Sequence, residues 1–145
     1  IKALTKWMHD NKLTLNIKKT DFIIIASRAN LAKINPHFNI TIQGPSVQRS
    51  DFVKSIGFYL DPNLDWKVQI KHVIRKTSSG LAILRMSRKY LPINALQTLY
   101  RTMIESHFRY GNIIWGNCGE MHLLQIKLQK NQNGAARIIT QSDYE

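Results

Sequence analysis

Residues 61–91 read DPNLDWKVQIKHVIRKTSSGLAILRMSRKYL, and this stretch predicts a turn followed by a long amphipathic helix. The turn, residues 61–65, contains a proline and offers an N-cap to the helix. Leu91 is expected to end the helix because a proline follows it. One helical face carries Trp66, Ile70, Val73, Thr77, Leu81 and Leu84. We expect that face to pack on a core, provided that Ser78-Ser79-Gly80 does not interrupt the helix.

The basic residues of this helix form a flank beside its apolar face. Lys67, Lys71, Arg75, Arg85 and Lys89 cluster there on a helical wheel. No acidic residue occurs between Asp65 and Glu105, whereas ordinary solvated helices mix the two signs to gain i,i+4 pairs. A merely basic surface is the alternative, but the one-sign interval favours a surface that faces phosphates. Its candidate nucleic-acid-binding residues are Lys67, Lys71, Arg75, Lys76, Arg85, Arg88 and Lys89.

Further helices are predicted downstream of Leu91. Pro92 suits the first turn of a second helix with an apolar stripe from Ile93 to Ile104. A third helix is predicted over residues 121–139. By their spacing, most of the aromatic side chains here are expected in the core and not as platforms for base stacking, namely Tyr90, Tyr100, Tyr110 and Trp115.

The N-terminal part predicts a helix and several short strands. An amphipathic helix is expected over the first dozen residues, ending near Asn11. The apolar run within residues 21–27 predicts a strand buried on both faces, and residues 27–38 a loop. Residues 39–43 alternate, Gly44-Pro45-Ser46 predicts a turn, and residues 53–60 predict a strand with Ile56, Phe58 and Leu60 on one face. The predicted fold class is α+β: a small antiparallel sheet with one helix, then a helical bundle, with the boundary near residues 61–65.

Composition agrees with a basic, globular chain. The 145 residues carry a net charge of +12 and are 43% hydrophobic, which is enough to bury a core. Residues 1–65 hold nine basic and five acidic residues, and residues 66–145 hold twelve and four, so the excess is concentrated in the second part. The single cysteine, Cys118, allows no internal disulfide and predicts an intracellular location, in the nucleus or the cytoplasm. No apolar run approaches the ~18 residues of a membrane span, so no membrane partner is expected. The first residue is Ile1 and not Met, which predicts that the numbering starts inside a longer polypeptide.

Sequence motifs for catalysis or metal binding are lacking. The histidines and Cys118 show no zinc-ligand spacing, and no metal site is predicted. No P-loop, G-x-S-x-G or G-x-G-x-x-G motif occurs. Asp61 and Asp65 flank a proline turn, which suits a turn residue and a helix cap better than a pair of catalytic carboxylates. By its own residues the chain therefore predicts a binding surface and not a complete active site.

An ordered series of motifs resembles the reverse transcriptases of non-LTR (LINE-type, jockey-like) retrotransposons. Trp7 and residues 11–20, NKLTLNIKKT, are similar to the family's "W…N.L.LN..KT" segment, and residues 53–61, VKSIGFYLD, to its "KYLGV.ID" segment. The resemblance spans essentially the whole chain. The later matches follow in the family's order: Leu64-Asp65-Trp66, Ile70, Leu91-Pro92, Leu99-Tyr100, Tyr110-Gly111, Trp115-Gly116, Leu128-Gln129 and residues 135–140.

The resemblance implies roles for particular segments. Residues 1–63 would be the end of the polymerase palm and residues 64–145 a basic helical thumb with its continuation. Lys19 would take the place of the motif D lysine, which can donate a proton or stabilise charge on the departing pyrophosphate. The primer grip, motif E, would be Lys54, Ser55, Ile56, Gly57 and Phe58, where Ser55 and Ile56 replace the family's aromatic and leucine.

The resemblance also implies what the chain acts with. The family's catalytic aspartates, including an (F/Y)ADD box, lie upstream of the first residue here, so the chain would not polymerise alone. Mg²⁺ is implied for the whole polymerase, with no ligands in this part, and the partners would be an RNA template and a DNA primer. Two alternatives from other classes remain: a stand-alone or domesticated nucleic-acid-binding module without catalysis, and a helical protein-interaction domain whose charge serves solubility.

Overall fold

A computed structural model describes residues 1–42, 44–116 and 122–142 of the chain. The chain forms two compact units, Ile1–Asp65 and Trp66–Glu145, so the division falls at the end of the predicted boundary region, residues 61–65. Short strands lie in the first unit and long helices in the second, so the α+β class is confirmed.

The first unit begins with the predicted helix, α1 (Lys2–Asp10). The side-chain amide of Asn11 donates to the carbonyl of Trp7 at 2.8 Å, and this bond closes the helix at its predicted end. A short 3-10 turn follows at Ile17–Lys19.

A three-stranded sheet follows, with β1 (Asp21–Phe22), β2 (Ile40–Thr41) and β3 (Ser46–Arg49) in the order β1-β3-β2. The β2–β3 pair is antiparallel, with Ile40 opposite Val47, but β1 pairs with β3 in parallel, so this sheet is mixed and not wholly antiparallel as predicted. The predicted turn connects β2 to β3: Gly44 has a φ of 106°, and the amide of Ile42 donates to the carbonyl of Pro45 at 3.0 Å.

The predictions for residues 21–38 are partly wrong. The apolar run is a strand only at Asp21–Phe22, and Ile25 is exposed, so it is not a strand buried on both faces. Beyond the sheet, the amide of Ala26 donates to the carbonyl of Pro62 at 3.1 Å. The predicted loop contains a helical turn, α2 (Arg28–Leu31), at whose start the Ser27 hydroxyl accepts the amide of Asn30 at 3.4 Å.

The single strand predicted over residues 53–60 is a hairpin. Strand β4 (Val53–Ser55) pairs antiparallel with β5 (Phe58–Leu60). The two residues between them, Ile56 and Gly57, both have positive φ, 48° and 83°, which is the pattern of a type I′ turn. Ile56 is 84% exposed at the tip and does not share a face with Phe58 and Leu60. Alternating residues predicted the two strands, but Ile-Gly lacks the Asn-Gly or Asp-Gly signature of such turns.

The second unit opens with α3 (Lys67–Ser87), which continues through Ser78-Ser79-Gly80 as the sequence predicted under that condition. The predicted turn before it is present, since the Asp61 carboxylate accepts the amides of Asn63 and Asp65 at 3.2 and 3.0 Å. The residue at the N-cap position is Trp66 and not a residue of the turn, with a φ of 61° and no capping bond from its side chain.

The remaining helices agree with the predicted order. Pro92 precedes α4 (Ile93–Tyr100), which continues as a π-helical turn (Arg101–Glu105) and α5 (Ser106–Arg109). Then come α6 (Asn112–Trp115) and α7 (His122–Thr140), the predicted third helix; Met121 and Cys118 lie outside the described residues. Across the ranges described, no helix combines the length and apolarity that crossing a membrane requires.

The core of the second unit joins α3, α4, the π-helical turn and α7. Its buried members are Leu84, Leu96, Ile104, Ala135 and Ile138. Helix α3 approaches the π-helical turn closely at Gly80, where an added Cβ would lie 2.8 Å from Ile104 Cγ1. The apolar face predicted for α3 is thus the face that packs.

Candidate nucleic-acid interface

The basic flank of α3 exists as a straight row of exposed side chains. Lys71 precedes Ser78 by seven residues, Arg75 precedes it by three, and Arg85 follows it by seven, so all four share one face of the helix. The three cations are exposed. From Lys71 to Arg85 the row spans about 21 Å at 1.5 Å per residue.

The other predicted residues lie at different places around α3. Lys67 lies at the N-terminal end of the row, on the same side of α3. Lys76 is exposed but projects from the far flank, about 100° from Arg75. Helix α3 ends at Ser87, and Arg88 and Lys89 stand in the turn beyond it, where the amide of Leu91 still donates to the carbonyl of Ser87.

Contacts with α7 show which side of α3 the row occupies. The side-chain amide of Asn131 donates to the hydroxyls of Thr77 and Ser78, at 2.9 and 3.0 Å. Gly134 lies against Leu81, whose Cδ2 would be 3.2 Å from a Cβ added at the glycine. Residues 77 and 78 of α3 contact residue 131 of α7, and residue 81 contacts residue 134. The two helices therefore run in the same direction. Because Ser78 shares the face of the basic row, that row borders the seam between α3 and α7.

Helix α7 adds two cations to the same seam, and neither of them was among the residues predicted from the sequence. Lys130 and Lys127 precede Gly134 by four and seven residues, which places them on the face of α7 that meets α3. Both are exposed. Residues 122–140 contain no acid, and this signal in the sequence could have identified them. We call Lys71, Arg75, Arg85, Lys127 and Lys130 the α3–α7 basic surface.

The charge of this surface is uncompensated within the ranges described. None of its five residues lies within 4.0 Å of a carboxylate there. Glu105, the one acid of the second unit in those ranges, is engaged by Arg109 at 2.8 Å. Surface helices ordinarily carry both positive and negative side chains. A seam that carries only cations is destabilised by their mutual repulsion unless an anion binds there.

The predicted primer-grip residues come together in the β4–β5 hairpin. Lys54, Ser55 and Phe58 lie on the strands, and Ile56 and Gly57 form the turn. The Lys54 ammonium lies 5.6 Å from the centroid of the Tyr59 ring, a cation–π geometry, and the Phe52 and Tyr59 ring centroids are 5.9 Å apart. Tyr59, which was not among the predicted residues, thus holds Lys54 on the hairpin, and Phe52 packs beside the Tyr59 ring.

Lys19 is the last residue of the 3-10 turn and is exposed. Its amide donates to the carbonyl of Asn16 at 3.0 Å, and the Thr20 hydroxyl donates to the same carbonyl at 2.8 Å. These bonds fix the backbone that carries the lysine and leave its ammonium in solvent.

Four aromatic residues were predicted to lie mostly in the core, and two of them do. Trp115 is buried, and Tyr100 packs on the core. Tyr90 and Tyr110 are exposed, so the prediction is wrong for both. Each stands just beyond a helix end, where the helical spacing that predicted burial no longer holds.

A magnesium site does not fit the described residues. They contain no group of three His, Cys, Asp or Glu side chains that could hold a metal ion. The buried Asp61 carboxylate, the most enclosed acid there, accepts two backbone amides instead.

Comparison of the chain with protein-family models, with curated proteins and with solved structures found no match.

Proposed function

We propose that the second unit binds the phosphate backbone of a nucleic-acid duplex, and that the chain serves as a palm-and-thumb part of a non-LTR retrotransposon reverse transcriptase. The observation that carries the binding function is the α3–α7 basic surface: five exposed cations from two helices, beside one seam, with no acid paired to them in the described ranges. Lys and Arg neutralise duplex phosphates independently of base sequence.

The surface suits a backbone better than a small anion. Its cations extend along about four turns of α3 and do not converge on one point. A row of this kind follows successive phosphates, as a thumb must when it holds an RNA template paired with a DNA primer. The β4–β5 hairpin, with Lys54 held over Tyr59, would then be the primer grip.

The binding function is tested with two matched charge reversals on one helix. Lys71→Glu and Lys76→Glu make the same chemical change at exposed lysines five residues apart, but only Lys71 belongs to the surface. In a filter-binding assay with an RNA–DNA duplex, Lys71→Glu should weaken binding about tenfold and lower the log–log salt slope by about one unit. Lys76→Glu should retain most of the affinity. Equal losses of duplex affinity in the two variants would contradict the assignment of Lys71 to a phosphate-binding surface.

The polymerase part of the proposal rests on the ordered motif series and has its own test. An ADD box and a further aspartate motif in the reading frame upstream of Ile1 would support it. A start codon at or just before Ile1 would contradict it and leave a nucleic-acid-binding module without catalysis. In the polymerase, Lys19→Ala should slow nucleotide incorporation more than it weakens primer binding.

A further inference from the structure

The corner between α3 and α4 exposes an aromatic ring among cations. Tyr90 is 84% exposed, although it lies only three residues beyond the end of a helix whose apolar face is buried. The amides of Tyr90 and Leu91 both donate to the carbonyl of Ser87 at 3.0 Å, and Pro92 follows. Position 90 comes six residues after Leu84, about 120° around the helix from it, so the ring does not continue the core-facing row.

Three cations stand beside this ring in the chain. Arg85, Arg88 and Lys89 are all exposed, and none has a carboxylate within 4.0 Å in the ranges described. Met86 is 74% exposed and Ile93 is also exposed, so the corner offers apolar as well as cationic contact. No other part of the described second unit places an exposed aromatic ring within six residues of three unpaired cations.

The corner also lies at one end of the α3–α7 basic surface. Arg85 is the last cation of the row on α3 and the first of the corner. A strand whose phosphates follow α3 therefore reaches Tyr90 as it leaves the helix. A stack of paired bases does not offer its faces to a side chain, but an unpaired base beyond the end of a duplex does.

We propose that the corner binds an unpaired nucleobase stacked on Tyr90, with the phosphates on either side of that base on Arg85, Arg88 and Lys89. The inference deepens the proposed function, on which it rests for the path of the strand. Every nucleobase has a π-face, so this contact is tolerant of sequence, and stacking on an aromatic side chain strengthens binding about five- to a hundredfold per base. The preferred ligand is thus a duplex with a single-stranded extension.

An anionic membrane or an acidic protein could also meet a basic, apolar corner. The continuous row of cations from Lys71 to Arg85 favours a nucleic acid, because a polyanion of regular charge spacing satisfies both the row and the corner. A membrane surface is flat and would engage the corner through Met86 and Ile93 as much as through Tyr90.

The test measures fluorescence anisotropy of two labelled ligands, a blunt RNA–DNA duplex and the same duplex with a single-stranded extension of about six nucleotides. The full chain should bind the extended duplex about tenfold more tightly than the blunt one. Tyr90→Leu, which keeps an apolar side chain without a π-face, should abolish this preference and leave blunt-duplex binding unchanged. Tyr90→Phe should retain it. Ile113→Ala, at a fully exposed residue on α6, is the control for an apolar truncation elsewhere.

The outcomes separate this inference from the proposed function. Equal binding of both ligands by the unmodified chain, or full preference in Tyr90→Leu, would overturn the stacking site while Lys71→Glu still tests the duplex surface. Loss of preference in Tyr90→Phe would also overturn it. Tyr90-dependent binding to phosphatidylserine vesicles, together with Tyr90-independent binding to both duplexes, would replace it with a membrane contact. In Lys71→Glu, weaker binding of both duplexes with the Tyr90-dependent preference retained would support the row and the corner together.

Discussion

The side-chain amide of Asn131 donates a 2.9 Å hydrogen bond to the hydroxyl of Thr77, and this bond joins α7 to α3. The Thr77 side chain is fully buried, and its own proton is directed to the carbonyls of Val73 and Ile74, at 2.9 and 3.1 Å. Asn131 therefore supplies the partner that the buried hydroxyl oxygen accepts. The same amide reaches Ser78, so it fixes the two helices where their basic residues meet.

Removing this amide should destabilise the second unit. Asn131→Ala leaves the acceptor oxygen of Thr77 buried and unpaired, and we expect the free energy of unfolding to fall by about 1–2 kcal/mol. Asn133→Ala is the matched control, because its exposed side chain only accepts from Gln129 on the same helix. That change should cost less than about 0.5 kcal/mol. Urea denaturation followed by circular dichroism measures both, and equal losses would contradict the role of Asn131.

Local patterns predicted the long helices well because their signals are regular. The apolar row from Trp66 to Leu84 and the proline after Leu91 bracket α3, and the packing of Leu84 confirms which face is inside. The hairpin was missed because its turn is Ile56-Gly57, which resembles a strand in the sequence. Lys127 and Lys130 join the site through contacts between α7 and α3, such as Asn131–Thr77, which links residues 54 positions apart. No local pattern contains that pairing.

Two glycines in the second unit should respond differently to alanine. A Cβ at Gly80 would lie 2.8 Å from Ile104 Cγ1 and 2.9 Å from the Met103 carbonyl oxygen, and a backbone atom cannot easily move. Gly80→Ala should therefore lower the free energy of unfolding by about 1–2 kcal/mol, despite a helix-propensity gain of up to about 1 kcal/mol.

Gly134→Ala provides the comparison within the same core. Its Cβ would lie 3.2 Å from Leu81 Cδ2, the end of a flexible side chain. The propensity gain should then offset the crowding, so that stability changes by less than about 0.5 kcal/mol or rises. Thermal melts of the two variants test the pair, and a larger loss at Gly134 than at Gly80 would show that the helix contacts are misassigned.

The hairpin tip should be stabilised by a residue that tolerates its backbone. Ile56 has a φ of 48°, a conformation that costs a β-branched residue about 1–2 kcal/mol. Ile56→Asn, which restores the Asn-Gly signature, should stabilise the hairpin by about 1 kcal/mol. Ile56→Val keeps the β-branch and should bring no gain. Hydrogen exchange of the β4 and β5 amides reports this local stability. Slower exchange in the valine variant than in the asparagine variant would show that the positive φ at Ile56 does not strain the hairpin.

Tyr100 should make the second unit sensitive to alkaline pH. Burial raises the pKa of its phenol above 10.0, the Glu105 carboxylate raises it further, and Arg109 opposes the shift. The unfolded chain therefore ionises this group first, and the stabilisation that is complete below pH 10 is lost as the pH rises through the raised pKa. Tyr100→Phe should show a shallower fall in the unfolding free energy above pH 10. Tyr90→Phe, at the exposed tyrosine, is the control and should follow the unmodified chain.

Lys127 and Lys130 provide a test of the seam that is independent of α3. If the duplex lies over both helices, Lys127→Glu/Lys130→Glu should lower the log–log salt slope for an RNA–DNA duplex by about two units, as expected for two lost phosphate contacts. Both lysines are exposed and unpaired in the ranges described, so the change should leave the unfolding free energy nearly unaltered. Lys76→Glu, on the far flank of α3, provides the baseline for a change in net charge alone. A double variant on α7 that loses no more slope than Lys76→Glu would confine the phosphate contacts to α3 and remove α7 from the surface.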